Sequence, residues 1–187
     1  MHSYSFLTPF LVFASLVGAD GLSDVRALAA TVKATTDTIH ASLNGTMFLN
    51  TADLLANVSS SITSSKANLD ADQVAFMGNN TTQGMDTAYL DYINALLSLA
   101  QYAELRGKSW HTEWNQAVYT NLQALATAVH AYGTSLTQKD VVTRNATICT
   151  ITAGGALVQA ESARSRNLNY PGKQRRAWVV REERGRP

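Results

Sequence analysis

The chain has 187 residues, of which 45% are hydrophobic and 16% charged, with a formal net charge of +1 and a single cysteine. Enough apolar side chains are present to build one core, which excludes a chain that is disordered throughout. A lone cysteine excludes a disulfide within the chain. Residues 20–163 carry seven basic and twelve acidic side chains, and this acidic body argues against nucleic-acid binding.

The first nineteen residues have the pattern of a secretory signal peptide. An apolar run occupies 6–17, and Val17-Gly18-Ala19 provides the small residues that a signal peptidase recognises. The run is about a dozen residues long, whereas a membrane-spanning helix needs roughly 20. We therefore predict cleavage after Ala19, secretion, and no transmembrane anchor.

Two amphipathic helices are predicted next. Apolar positions in 25–43 recur every three or four residues, with Ser23 as the N-cap and Asn44-Gly45 as the stop signal. Thr51 is the predicted N-cap of the second helix, whose apolar stripe lies in 55–69 and whose outer face is rich in serine.

The third predicted helix is the longest. Asp70 and Gln73 have the spacing of a capping box, and apolar residues recur over about eight turns of 74–103. Glycines interrupt the pattern in 76–85, which predicts a kink or a break there. Gly107 is the predicted end.

Two further helices complete the predicted fold. The fourth begins at Ser109, and its apolar positions in 114–136 lie close to a heptad seam. The fifth begins at a cap formed by Thr137 and Asp140 and ends near position 163. No stretch alternates as a strand does. The predicted fold class is therefore all-α, an antiparallel bundle of about five amphipathic helices with a long, kinked or broken third helix.

The composition changes after position 163. Eight of the fifteen Lys and Arg residues lie from Arg164 onward, against two acidic residues, which is typical of a disordered tail. The predicted organisation is a signal peptide (1–19), a helical-bundle binding domain (20–163) and a basic tail (164–187). The tail lacks the apolar stretch of a glycolipid-anchor signal, so release from the cell is expected.

N-glycosylation sequons are frequent. The pattern Asn-x-Ser/Thr occurs at Asn44, Asn57, Asn79, Asn80 and Asn145. Glycans at these positions are predicted for a chain that enters the secretory pathway.

Signatures of catalysis, metal binding and cofactor binding are absent from the sequence. His111 and Glu113 lie beside Trp110 and Trp114 in a polar and aromatic patch, which raises acid/base chemistry as an alternative. Because two residues that are two positions apart on a helix do not face each other, His111 and Glu113 are not expected to act as a pair. With the missing signatures, this predicts a protein that is not an enzyme and holds no metal or cofactor.

Several segments together carry a family resemblance. They are Asp24-Val25-Arg26-Ala27-Leu28 directly after the secretion signal, the turn near Gly45, the helix from Ile93-Asn94-Ala95-Leu96-Leu97 through Arg106-Gly107-Lys108, and Leu122-Gln123-Ala124-Leu125 with its Tyr132-Gly133 exit. With these features, 22–163 resembles the fungal family of cell-wall galactomannoproteins and hydrophobic surface-binding proteins.

The resemblance implies a five-helix bundle, secretion to the wall or medium, and binding of hydrophobic matter. Some members of that family hold fatty acids or other lipids between their helices. Others adsorb to hydrophobic solids and help to recruit secreted esterases. The basic tail after Arg164 departs from the family pattern.

A lipid pocket would require apolar residues near the middle of each helix. The candidate lining residues are Val32, Ile39, Val58, Ile62, Tyr92, Leu96, Leu99, Leu122, Leu125 and Val129. The same positions suit a filled core equally well. The leading hypothesis is a secreted binder of lipids or hydrophobic surfaces. The alternative is a structural cell-wall mannoprotein without a pocket, whose partner is wall polysaccharide.

Overall fold

The computed structural model describes residues 20–43, 49–109, 111–166 and 168–170. The predicted signal peptide, the turn with Asn44 and Gly45, and the part of the tail from position 171 lie outside these ranges. The described residues are 83% helical and include no strand, so the predicted all-α fold class is confirmed for this part of the chain.

The described residues form six helices, one more than predicted. In chain order they are α1 (Gly21–Ala41), α2 (Thr51–Ala71), α3 (Gln73–Met77), α4 (Thr82–Lys108), α5 (Asn115–Gln138) and α6 (Arg144–Arg164). The additional helix arises because the predicted third helix is divided into the short α3 and the long α4.

The division between α3 and α4 has a local cause. Gly78 ends α3 with a φ of 52°, a backbone conformation that favours glycine. The side chain of Thr81 then accepts the backbone N–H of Gly84 at 3.2 Å and caps α4. The interruption lies within the predicted interval, and it separates two helices instead of bending one.

The helix starts differ from the predicted ones by one to six residues. Asp20 caps α1 by accepting the N–H of Ser23, and Asn50 caps α2. The start of α5 moves to Asn115, because 109–114 forms a separate connection. Thr143 caps α6. Its backbone N–H and its hydroxyl both donate to Asp86 of α4, at 2.7 and 2.8 Å.

The five long helices pack in a closed ring. Going around it, α1 contacts α2, α2 contacts α5, α5 contacts α6, α6 contacts α4, and α4 contacts α1. The short α3 packs against α1 and α2 at one end of the ring. A helical bundle is therefore present, as predicted, with one shared core in its centre.

The helix directions follow from side-chain contacts near the helix ends. Arg106, in the last turn of α4, donates to the carbonyl of Ser42, the C-cap of α1, at 3.1 Å, so α1 and α4 run parallel. By contrast, Asn68 near the end of α2 donates to Asp24 near the start of α1 at 3.0 Å, which makes this pair antiparallel.

The same reasoning applies to the other helices of the ring. α6 ends beside the end of α4, and α2 and α5 begin side by side, because Glu113 contacts Arg106, Arg164 and Thr51. Three of the five neighbouring pairs (α1/α4, α4/α6 and α2/α5) are therefore parallel, which corrects the predicted antiparallel bundle. Short connections reverse the chain direction, but they do not decide which helices become neighbours.

Three tyrosine rings lie in the core of the ring. The ring centroids of Tyr89 and Tyr92 are 5.8 Å apart, and those of Tyr92 and Tyr132 are 6.3 Å apart. The hydroxyl of Tyr89 is hydrogen-bonded to Thr150 at 2.6 Å, and that of Tyr132 to Ser65 at 3.0 Å. These two bonds satisfy buried hydroxyl groups and link α4 to α6 and α5 to α2.

The bundle extends beyond its predicted boundary at position 163. Arg164 belongs to α6 and is fully buried. The chain then folds back onto the start of α5, where the N–H of Gln116 donates to the carbonyl of Leu168 at 2.9 Å. Among the described residues, no helix has the length and apolarity needed to cross a membrane.

Candidate functional site

The ten predicted pocket residues all lie inside the ring. Each is at most 1% exposed and belongs to the hydrophobic core. They form the inner layer, where they pack among the other apolar side chains of the five helices. Val129 also lines a surface groove between α5 and α6.

A groove of about 600 Å³ runs between α5 and α6, a volume within the range of small-molecule sites, about 300–1,000 Å³. Its apolar lining comes from Ala126, Val129, Gly133, Ile151 and Gly154. Its polar lining comes from His130, Thr134, Thr137, Gln138, Thr147 and Thr150. The groove therefore combines an apolar surface with several hydroxyl groups.

Next to the groove, the outer surface of α6 is apolar. Ile148, Ile151 and Val158 are 60%, 77% and 56% exposed, and with the exposed Gly155 they are spaced by three, four and three residues, which places them on one face. We call Ile148, Ile151, Gly155 and Val158 the α6 apolar face.

The opposite side of α6 is also apolar, because Ala153, Leu157 and Ala160 are fully buried in the ring. Asn145, Thr152 and Gln159 are also exposed on the outer side of α6, so polar side chains flank the apolar row. Within the described part of the chain, nothing covers the α6 apolar face.

Two adjacent glycines lie in the middle of α6. A Cβ atom built on Gly154 or Gly155 would meet no other atom within 4 Å, so no contact within the described part of the chain requires either glycine. Each costs roughly 1 kcal/mol of helix stability relative to alanine. Their effect is that no side chain projects from the helix at these two positions, between Ile151 and Val158.

A second feature of the molecule is a buried group of charges at one end of the ring. Arg106 and Arg164 are at most 1% exposed, and Glu113 is 4% exposed. Glu113 Oε1 accepts from Arg106 Nε at 2.9 Å and from Arg164 Nη1 at 3.0 Å. Glu113 Oε2 accepts the backbone N–H of Thr51 at 3.0 Å. With the adjacent His111, these residues form what we call the Glu113 cluster.

The surroundings of the cluster set the protonation of its two titratable members. Burial alone would raise the pKa of Glu113, but the charge of Arg164, the hydrogen bonds from Thr51 and the charge of Arg106 together hold that pKa below its ordinary value. Burial, followed by the charge of Arg164, lowers the pKa of His111 to about 4. At neutral pH the cluster therefore holds two positive charges and one negative charge.

The same contacts bear on the acid/base alternative. His111 Nδ1 and Glu113 Oε1 are 4.0 Å apart, which is too far for a hydrogen bond. Both residues are buried, and both carboxylate oxygens already accept from Arg106, Arg164 or Thr51. They lie in the connection between α4 and α5, so helical spacing was the wrong basis for judging whether they face each other.

Sequence reasoning missed Arg106 and Arg164 as partners of Glu113. The sequence pattern indicates no partner for Arg106, and it predicts that Arg164 belongs to the tail. No local pattern marks a buried charge, and Arg164 lies 51 residues from Glu113 along the chain.

The predicted sequons differ in accessibility. Asn57, Asn79 and Asn145 are exposed. Asn80 is half-buried, and its side-chain amide donates to the carbonyl of Met77 at 3.1 Å. Asn44 lies outside the described residues.

Among the described residues, no group of three or more His, Cys, Asp or Glu side chains is placed to hold a metal ion. In comparisons with known proteins, no family model, curated protein or solved structure matches this chain. The similarity to the fungal wall family therefore remains a prediction from the residue pattern.

Proposed function

We propose that this protein is a secreted, non-enzymatic binder of hydrophobic matter, which it contacts through the α6 apolar face and the adjoining groove. The observation that carries the proposal is the exposed row of Ile148, Ile151 and Val158 on a helix whose inner side is apolar as well. Removing apolar surface from water contributes about 25 cal/mol per Å², so covering this row is favourable.

The chemistry of the groove favours a lipid with a single acyl chain, such as a fatty acid. Its apolar part, formed in part by Val129 and Ile151, suits the chain, and the hydroxyls of Thr134 and Thr147 together with His130 offer hydrogen bonds to a head group. Each buried methylene contributes about 0.8 kcal/mol, which lets a long chain offset the cost of association. A hydrophobic solid is the other target that an exposed helix face can contact.

Secretion is part of the same proposal. It is supported by the signal-peptide pattern in 1–19, by the sequons and by the resemblance to the fungal wall family. The proposed location is the cell wall or the medium, and the resemblance adds secreted esterases as candidate partners.

A fluorescent fatty-acid titration and adsorption to polystyrene beads test the proposal together. The variant carries Ile148→Gln and Ile151→Gln, and the control carries Val74→Gln and Leu90→Gln, which remove exposed apolar side chains elsewhere. Loss of two apolar contacts should weaken binding by roughly tenfold or more, and the control should bind as the wild type does.

The two possible failures have different meanings. A wild-type protein that neither takes up the fatty acid nor adsorbs would refute the proposed function. A wild-type protein that binds, with a double variant that binds equally well, would refute the α6 site alone.

The alternative function, a structural wall mannoprotein, is favoured by the exposure of Asn57, Asn79 and Asn145 in three separate segments. Glycans at these positions would project from the bundle without disturbing its core. If enzymatic deglycosylation abolishes retention in the wall while lipid binding is absent, the mannoprotein alternative is the better account.

A further inference from the structure

Four segments of the chain meet at the carboxylate of Glu113, and a fifth joins them through Arg106. The connection between α4 and α5 provides Glu113 itself, α2 provides the N–H of Thr51, α4 provides Arg106, and α6 provides Arg164. α1 joins through Arg106, whose Nη1 donates to the carbonyl and the hydroxyl of Ser42 at 3.1 and 2.9 Å. One carboxylate thus links four of the five ring helices at one end.

The charges at this point do not balance. Two guanidinium groups share one carboxylate, and all three residues are buried. Arg106 Nη2 and Arg164 Nε and Nη2 have no hydrogen-bond partner within the described part of the chain, and these atoms are inaccessible to solvent. If the negative charge of Glu113 were removed, two like charges would remain buried side by side, which is strongly unfavourable.

We propose that Glu113 is an acid-sensitive latch, which holds the ends of α1, α4 and α6 together with the start of α2 while its carboxylate is charged and releases them in acid. The latch is a conformational device of the fold, and it does not depend on the proposed lipid binding.

Among the residues that the structure describes, few charged or titratable groups face Glu113. Arg106 faces it from α4, Arg164 from α6 and His111 from its own connection. α1 and α2 contribute uncharged groups, the Ser42 carbonyl and hydroxyl through Arg106 and the Thr51 N–H.

Protonation of the two titratable members acts in one direction. The pKa of Glu113 is lowered in the folded state, so its contribution to stability is lost as the pH falls through that lowered pKa. The pKa of His111 is lowered from 6.5 to about 4 in the folded state. Between pH 6.5 and pH 4 the unfolded chain therefore binds a proton at His111 that the folded chain does not, and the free energy of unfolding falls as the pH drops through this range. Both groups therefore open the cluster in acid.

Hydrogen exchange on the full chain at pH 7 and at a series of lower pH values, corrected for intrinsic exchange rates, tests the latch. Once Glu113 is protonated in acid, we expect exchange to be roughly 100-fold faster in the last turns of α4 and α6 and in 111–116, with the middle of α5 unchanged. Loss of protection that is uniform along the chain, or no loss at all, would overturn the proposal.

A variant provides the second arm. Glu113→Gln at pH 7 should exchange as the wild type does in acid, whereas Glu104→Gln, which removes an outer partner of Lys108 on the same helix, should leave the pattern unchanged. A folded Glu113→Gln protein with wild-type protection at pH 7 would also overturn the latch. If this variant does not fold, the wild-type comparison decides.

Discussion

Gly107 of α4 packs against Ala163 and Arg164 of α6 at the charged end of the ring. A Cβ atom at this position would be 2.9 Å from Arg164 Nε and 3.0 Å from Ala163 Cβ, closer than packed atoms tolerate. Because Gly107 has no side chain, Arg164 can pass alongside it and reach Glu113. The glycine that was predicted to end the helix thus has a packing role within it.

Replacing Gly107 with alanine should lower the free energy of unfolding by about 1–3 kcal/mol, because the added methyl group overpacks this contact. The loss should occur although alanine has the higher helix propensity. Urea denaturation measures it. Gly84→Ala is the control, since a Cβ there meets only Thr81 Oγ1 at 3.4 Å. Equal midpoints for Gly107→Ala and the wild type would show that the close approach carries no energetic weight.

The stability of the protein should fall between pH 6.5 and pH 4. The unfolded chain binds a proton at His111 in this range and the folded chain does not, because the folded pKa is about 4. The contribution is on the order of 2–3 kcal/mol. Chemical denaturation at a series of pH values should therefore show a shallower dependence for His111→Gln. The control variant is His130→Gln, at an exposed position. A His111→Gln profile that is parallel to the wild-type profile would contradict the assignment of this pH dependence to His111.

The residues of the Glu113 cluster show what a sequence leaves undetermined at this scale. The ten core positions followed from the spacing of apolar residues, and all ten are buried. Arg106 and Arg164 are just as buried. A charged side chain is buried only where it has hydrogen-bonding or oppositely charged partners, and such partners can be distant in sequence. Periodicity carries no information about such partners.

At the scale of the element, α6 was the helix least well predicted. Its apolar residues divide between two faces: Ala153 and Leu157 point inward, and Ile148, Ile151 and Val158 point outward. Helical periodicity identifies a buried face only when the opposite face is polar, and α6 has no such contrast. The most exposed apolar surface of the ring therefore had no distinct signal in the sequence.

The glycine pair in α6 leads to a stability prediction. Gly154→Ala with Gly155→Ala should raise the free energy of unfolding by about 1–2 kcal/mol, because a Cβ at either position meets open space and restricts the unfolded chain. Thermal unfolding followed by circular dichroism measures the change. A lower melting temperature would contradict the open space beside the two glycines.

At the scale of the whole molecule, the arrangement of the helices was less predictable than their existence. The helix-rich pattern and the short connections give the fold class and the reversal of direction between consecutive long helices. They do not indicate that α4 packs between α1 and α6, which makes three neighbouring pairs parallel. That arrangement depends on contacts such as those of Glu113 and Asp86, which join segments more than 50 residues apart.

The binding hypothesis has two forms, which differ in where the ligand lies on the molecule. A ligand held inside the ring would contact the predicted positions of the inner layer, among them Tyr92, Leu96 and Leu99. A ligand held at the surface would contact the α6 apolar face and the groove beside α5. The packed interior and the open α6 face favour the second form.

Hydrogen exchange with and without a saturating long-chain fatty acid tests this central claim most directly. We expect ligand-dependent protection in residues 144–158 of α6 and 126–138 of α5, with 92–99 unchanged, because the acyl chain covers the outer face and leaves the core as it is. Protection centred on 92–99, or no protection anywhere at saturating ligand, would contradict the account.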